Sequence, residues 1–181
     1  MTPPLALPTE RSFFQNAWVV ADVEAAMRHW VETLGVGPFF VGDYTALLTD
    51  TSYRGQPSPL SMKIAIAQAG SLQIELIEPL GDAPSAYRDM VPAGSEAFHH
   101  MAAWTNDWEA DEQHYESRGF PLVSFGRLAH NGMRFGYFDT RPALGCMIEL
   151  FEWHQAGVDG FAGIAEAAVG WDGSDPVRWV T

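Results

Sequence analysis

The sequence predicts an α+β fold of two tandem βαβββ modules followed by a helical tail. The first observation is an internal repeat: QNAWVVADVEAAMRHW from Gln15 and HMAAWTNDWEADEQHY from His100 share one phrase, an apolar strand, then Asp, then a helix with an acidic first turn. The second is that each copy is followed by three apolar, alternating segments. The third is a shared ending, QIELIEP at 73–79 and MIELFEW at 147–153, in which a Glu stands between Ile and Leu.

Residues 1–11 read as a short arm and not a signal peptide, since two prolines follow the Met with neither a basic start nor a long apolar stretch. The first module covers 12–80. Asp22 is a suitable N-cap, Glu24 favours the helix N-terminus, and Ala25, Ala26, Met27, Trp30, Val31 and Leu34 supply an apolar face closed by Gly35. Strands are then expected at 39–48, 61–68 and 71–78, with TSYRGQPSP as a loop. A Pro/Gly-marked linker, 81–96, holds a short helix around Ser85 to Met90. The second module covers 97–154, with Asp107 capping a more polar helix from Trp108 to Arg118, closed by Gly119. Its strands are expected at 121–129, 132–140 and 145–153, with AHNG and RPAL as loops. The tail, 155–181, carries one amphipathic helix near 158–169 and an irregular end.

Composition excludes several functions. A chain of 181 residues, 47% hydrophobic, can bury a substantial core, yet no run of 18 apolar residues crosses a membrane. A formal charge of -13 argues against nucleic acid, whose phosphates need clustered Lys and Arg. Cys146 is the single cysteine, which rules out a thiolate metal cluster and fits a reducing cytoplasm. The remaining question is why Glu75 and Glu149 occupy strands that look buried. A charged side chain in an apolar interior costs several kcal/mol and persists when paired, protonated or metal-bound.

Two βαβββ modules with a polar residue on the first and last strand of each resemble the vicinal oxygen chelate superfamily, which includes glyoxalase I, methylmalonyl-CoA epimerase, extradiol dioxygenases and bleomycin-resistance proteins. The resemblance covers roughly residues 12–153 and implies a cup-shaped mixed sheet in which four side chains converge on one divalent ion. Carried over by position, these are Gln15, seven before Asp22; Glu75 in IELIE; His100, seven before Asp107; and Glu149 in IELFE. Strand alternation turns each Glu away from its Ile and Leu neighbours.

One imidazole, one amide oxygen and two carboxylates form an oxygen-rich set open to Zn, Ni, Co, Mn or Fe(II). The resemblance implies a lyase, isomerase or epimerase in which the ion stabilises an enediolate and Glu149 or Glu75 shuttles the proton beside a carbonyl. The partner is then a small-molecule substrate, with a homodimer expected. Two alternatives stand beside this. An extradiol-type dioxygenase would need a His where Gln15 stands, and a metal-free binding protein of the bleomycin-resistance kind would have no reason to keep four ligand positions. Trp104 shares a face with His100 by parity and is expected to wall a substrate pocket. His99 points to the opposite face unless a bulge turns it inward. His130 and Tyr53 sit in loops that could reach the site mouth, and Arg54, Arg88, Arg127 and Arg134 are candidates to hold a CoA thioester.

Overall fold

The computed structural model describes residues 11–180, so the expected N-terminal arm lies outside the described residues except for Arg11. In chain order the strands are β1 (Phe13–Val19), β2 (Phe39–Asp43), β3 (Leu48–Tyr53), β4 (Gln56–Pro57), β5 (Met62–Ala69), β6 (Leu72–Pro79), β7 (Ala97–Thr105), β8 (Leu122–Leu128), β9 (Arg134–Phe138), β10 (Met147–Glu152) and β11 (Val177–Trp179). The helices are α1 (Val23–Leu34), α2 (Ala86–Met90), α3 (Trp108–Glu116), α4 (Arg141–Leu144) and α5 (Gln155–Ala168).

The strands form one mixed sheet in the order β11-β2-β5-β6-β1-β7-β10-β9-β8-β3-β4. Its centre is a near-repeat: β1 runs parallel to β6, β7 runs parallel to β10, and β1 and β7 meet antiparallel. The two copies of the sequence phrase thus lie side by side, and the strands ending each half flank them.

Local chemistry starts the helices as expected. Asp22 and Asp107 accept from the backbone N–H of Ala25 and Ala110, and Gly35 closes α1 in the left-handed region. On one side of the sheet, α1 covers a core of Val23, Met27, Phe39, Ile74 and Leu76, and α3 covers one of Trp108, Phe138, Ile148 and Leu150. The opposite face collects Ala17, Met62, Ile77, Tyr87, Ala102, Phe135, Tyr137, Met147 and Phe151. Among the described residues no helix is long and apolar enough to cross a membrane.

Five expectations need correction. The strand expected over 39–48 breaks after Asp43, because its carboxylate accepts from the Thr45 N–H and turns the chain into a 3-10 helix, Thr45–Leu47. The segment TSYRGQPSP, expected as a loop, supplies the hairpin β3–β4: Arg54 and Gly55 both have positive φ, the conformation of a two-residue turn that matches strand twist. That hairpin pairs with β8 of the other half. RPAL forms the single turn α4, closed by left-handed Gly145, and the tail helix begins at Gln155. Leu34, placed on the apolar face of α1, is 62% exposed.

Candidate functional site

Gln15, Glu75, His100 and Glu149 lie on the four central strands, and the register brings them around two alanines. Ala17 pairs with Glu75 on one side and His100 on the other, while Ala102 pairs with Gln15 and with Glu149. Directly paired residues share a face, so the four longer side chains surround a floor of methyl groups. All four are buried.

Three of them converge closely: ligand atoms of Glu75, His100 and Glu149 lie within 4.8 Å of one another. His100 Nε2 stands 2.9 Å from Glu149 Oε2 and 3.4 Å from Glu75 Oε2. Apart from these ion-pair approaches, His100 Nε2, Glu75 Oε2 and Glu149 Oε2 have no hydrogen-bond partner. Gln15 donates through Nε2 to Gln73 Oε1 at 2.8 Å, which leaves its own buried Oε1 without a partner too.

His99 joins the site by the bulge that alternation alone would not place. Ala17 faces His100 and Trp18 faces Phe98, so His99 is the extra residue of β7 and turns toward the concave side. Its Nε2 lies 3.0 Å from the Ala86 carbonyl, and its Nδ1 lies 2.9 Å from His100 Nδ1. A carbonyl can only accept, so His99 Nε2 carries the proton there. Burial, together with the facing His100, holds the His99 pKa down to about 3, so the ring is neutral and its Nδ1 accepts from His100 Nδ1–H. When His100 gives up its second proton, this arrangement leaves the Nε2 lone pair aimed at the two carboxylates. Burial resists charging His100, but Glu149 and Glu75 outweigh it and raise its pKa to about 9. Burial pushes Glu149 upward against the pull of His100. The group demands a cation, whether a proton or a metal.

Glu75 and Glu149 open into a cavity of about 250 Å³. Beside them stand Tyr87 and Tyr137, whose hydroxyls are 3.0 Å apart and whose burial raises both pKa values. The rest of the wall is mostly apolar, and α5 forms one side through Ala156, Gly157, Gly160, Phe161 and Ile164. The tail helix thus belongs to the site, a role with no signal in the repeat.

Trp104 is not in the cavity wall. Its ring stacks on Phe14 at 5.1 Å and touches Phe151 and Phe161, and those last two reach the cavity in its place. His130 does line the mouth, whereas Tyr53 turns to Asp89. Glu78 accepts from the Val23 N–H and Glu152 pairs with Arg134, both off the concave side. The four arginines lie outside the wall: Arg54 pairs with Asp89, Arg127 with Asp50, Arg134 with Glu152 and Glu109, and Arg88 donates to the carbonyls of Pro79 and Gly81.

A sequence profile of the Glyoxalase/Bleomycin resistance protein/Dioxygenase superfamily matches residues 14–137. The uncharacterized protein YqjC of Bacillus subtilis strain 168 is 30% identical over 92 residues, 50% of this chain and 65% of that protein, so the match spans just under two thirds of the relative's length. In structure the chain is similar to a hypothetical protein of Bacillus halodurans C-125, with a TM-score of 0.60 and 19% identity over 81% of this chain and 97% of that one. It is also similar to methylmalonyl-CoA epimerase from Mycobacterium tuberculosis, with a TM-score of 0.55 and 19% identity over 85% and 97% of the two chains. At these identities the likeness is one of fold.

Proposed function

The chain belongs to the glyoxalase/bleomycin resistance protein/dioxygenase superfamily, and from that premise we propose that it is a divalent-metal-dependent isomerase, epimerase or lyase acting beside the carbonyl of a small-molecule substrate. One observation carries the reading. Gln15 Oε1, Glu75 Oε2, His100 Nε2 and Glu149 Oε2 are four buried acceptor atoms without a hydrogen-bond partner, one from each position around Ala17 and Ala102. Buried acceptors are rarely left unsatisfied, and a cation satisfies all four at once.

These residues fit a divalent ion as its ligands, and His99 fixes the tautomer that leaves His100 Nε2 free to bind. A bound ion supplies Lewis acidity toward two adjacent oxygens of the substrate. The protein's own groups do the proton work. Glu149 and Glu75 face the cavity, and in this reading one of them removes the proton from the carbon next to the carbonyl, forming a carboxyl O–H while the C–H electrons move toward the carbonyl oxygen. Delivery of a proton to the opposite face of that carbon by the other carboxyl, which starts protonated, gives epimerisation; return of the abstracted proton to the neighbouring carbon, with the hydroxyl proton moving between the two oxygens, gives isomerisation. The buried hydroxyls of Tyr87 and Tyr137 keep this end of the cavity polar without adding charge.

Metal content of protein purified without chelator or affinity nickel tests the proposal, wild type beside His100→Ala and Glu149→Ala. Near one divalent ion per chain, lost in both variants, is the expected result. A wild-type chain that takes up no Zn, Co, Mn or Fe(II) would sink it. The 2.9 Å approach of His100 to Glu149 then favours a metal-free binding cup whose carboxylates share a protonated imidazole. A homodimer in the cytoplasm completes the proposed setting, and sedimentation equilibrium tests the first part.

A further inference from the structure

The cavity above the carboxylates is small, closed on one side by α5 and, among the described residues, lined by no Lys or Arg. We propose that the substrate is a neutral, apolar carbonyl compound of roughly ten non-hydrogen atoms, judged from the ~150 Å³ that holds benzene, with an aryl α-hydroxyketone as its type. The carbonyl end of this inference rests on the metal reading above; the apolar end rests on the wall alone.

The wall is set by side chains such as Leu48, Ile64, Met133, Phe135, Phe161 and Ile164, and its space is about 250 Å³. No Lys or Arg stands among its lining residues, and the charges it does contain are the carboxylates of Glu75 and Glu149. A phosphate or carboxylate on the substrate's tail, away from the carboxylate end, would therefore be desolvated against an apolar wall whose one imidazole, His130, stands at the mouth. Arg127, on β8 next to the lining residue Leu128, is already paired with Asp50 and with the Gly132 carbonyl. At the mouth stand His130 and Asn131 instead. Asn131 accepts from the Met133 N–H through Oδ1 and keeps a buried Nδ2 without a partner, a donor suited to an uncharged oxygen. A carrier of coenzyme size would have to stay outside, unsupported by any cationic residue of the wall.

Equilibrium dialysis of the full chain, with and without chelator, decides the matter using α-hydroxyacetophenone, its para-carboxylate and propionyl-CoA. The neutral ketone is expected to bind at least about tenfold more tightly than either charged compound. Gly160 lines the cavity and has open space around its Cβ position, so Gly160→Phe should fold, keep its metal and weaken the ketone by about tenfold. Gly163→Phe, also open but outside the wall, should leave binding unchanged. Equal or tighter binding of the para-carboxylate or of propionyl-CoA overturns the inference, as does an unaffected Gly160→Phe. A preference for the neutral ketone in a chain that takes up no metal supports the apolar class while sinking the metal reading, so the two failures separate.

Discussion

His99 Nδ1 and His100 Nδ1 face each other at 2.9 Å, so a single proton between them decides what the far side of His100 can bind. The chain of donors runs from His100 Nδ1 to His99 Nδ1 and from His99 Nε2 to the Ala86 carbonyl. It ties the ligand's orientation to α2, a helix in the link between the halves.

Replacing His99 with Leu removes the acceptor without touching a proposed ligand. Metal affinity should fall by about 10- to 100-fold, the usual effect of losing such a support. Competition against a chromophoric chelator measures it. An unchanged affinity would mean that packing alone holds His100 in place.

Glu75→Gln should separate the metal's contribution from the charge's. In chelator-treated protein the substitution removes a buried carboxylate that lies beside a second one, and Tm should hold or rise. Added metal should then raise Tm less, since an amide oxygen replaces a carboxylate, whereas in the wild type a concentration of about 100 times Kd stabilises by about 2.7 kcal/mol. Scanning calorimetry with and without Zn or Mn reads both effects.

Acid stability should depend on two carboxylates outside the cavity. The Arg141 guanidinium holds Asp139 below its ordinary 3.8, and the Arg134 guanidinium holds Glu152 below its ordinary 4.5. A carboxyl whose folded pKa is depressed stabilises the fold fully above its unfolded value, and that gain is lost as pH falls through the folded value. Urea midpoints of Asp139→Asn and Glu152→Gln should therefore lie below the wild type at pH 7 and converge with it below about pH 3. Parallel curves over that range would show that these pairs do not differ between the folded and unfolded chains.

Much of this fold was readable from the chain. The Asp22 and Asp107 caps, the strands around Glu75 and Glu149 and the alternation that aims both glutamates away from Ile and Leu are local features, and local chemistry decides them. The break after Asp43 is local, but other failures come from partners distant in sequence. The bulge at His99 exists only against Trp18 and Ala17 on β1, and β3 is a strand because β8 pairs with it. Trp104 has the parity of a cavity residue, yet Phe14 and Phe161 cover it, and Phe161 comes from the tail helix.

Gly136 tests the packing of the second half. A Cβ there would stand 2.8 Å from Leu122 Cδ1 and 3.0 Å from both the Ser124 carbonyl and the Trp108 ring. One of those neighbours is backbone, so Gly136→Ala should cost about 1–3 kcal/mol in denaturant stability. A cost near zero would mean that β8 and β9 slide apart freely.

The interleaving of the halves also sets an order of events as the chain leaves the ribosome. Gln15 and Glu75 are synthesised long before His100 and Glu149, and β1 has its second neighbour only when β7 arrives. Until then the first half carries an open strand edge and a glutamate without its counter-charge, while the hairpin of β3 and β4 waits for β8. Completion of the cluster of Gln15, Glu75, His100 and Glu149 therefore reports that translation has passed β10, and a nascent chain truncated before it cannot close the cup.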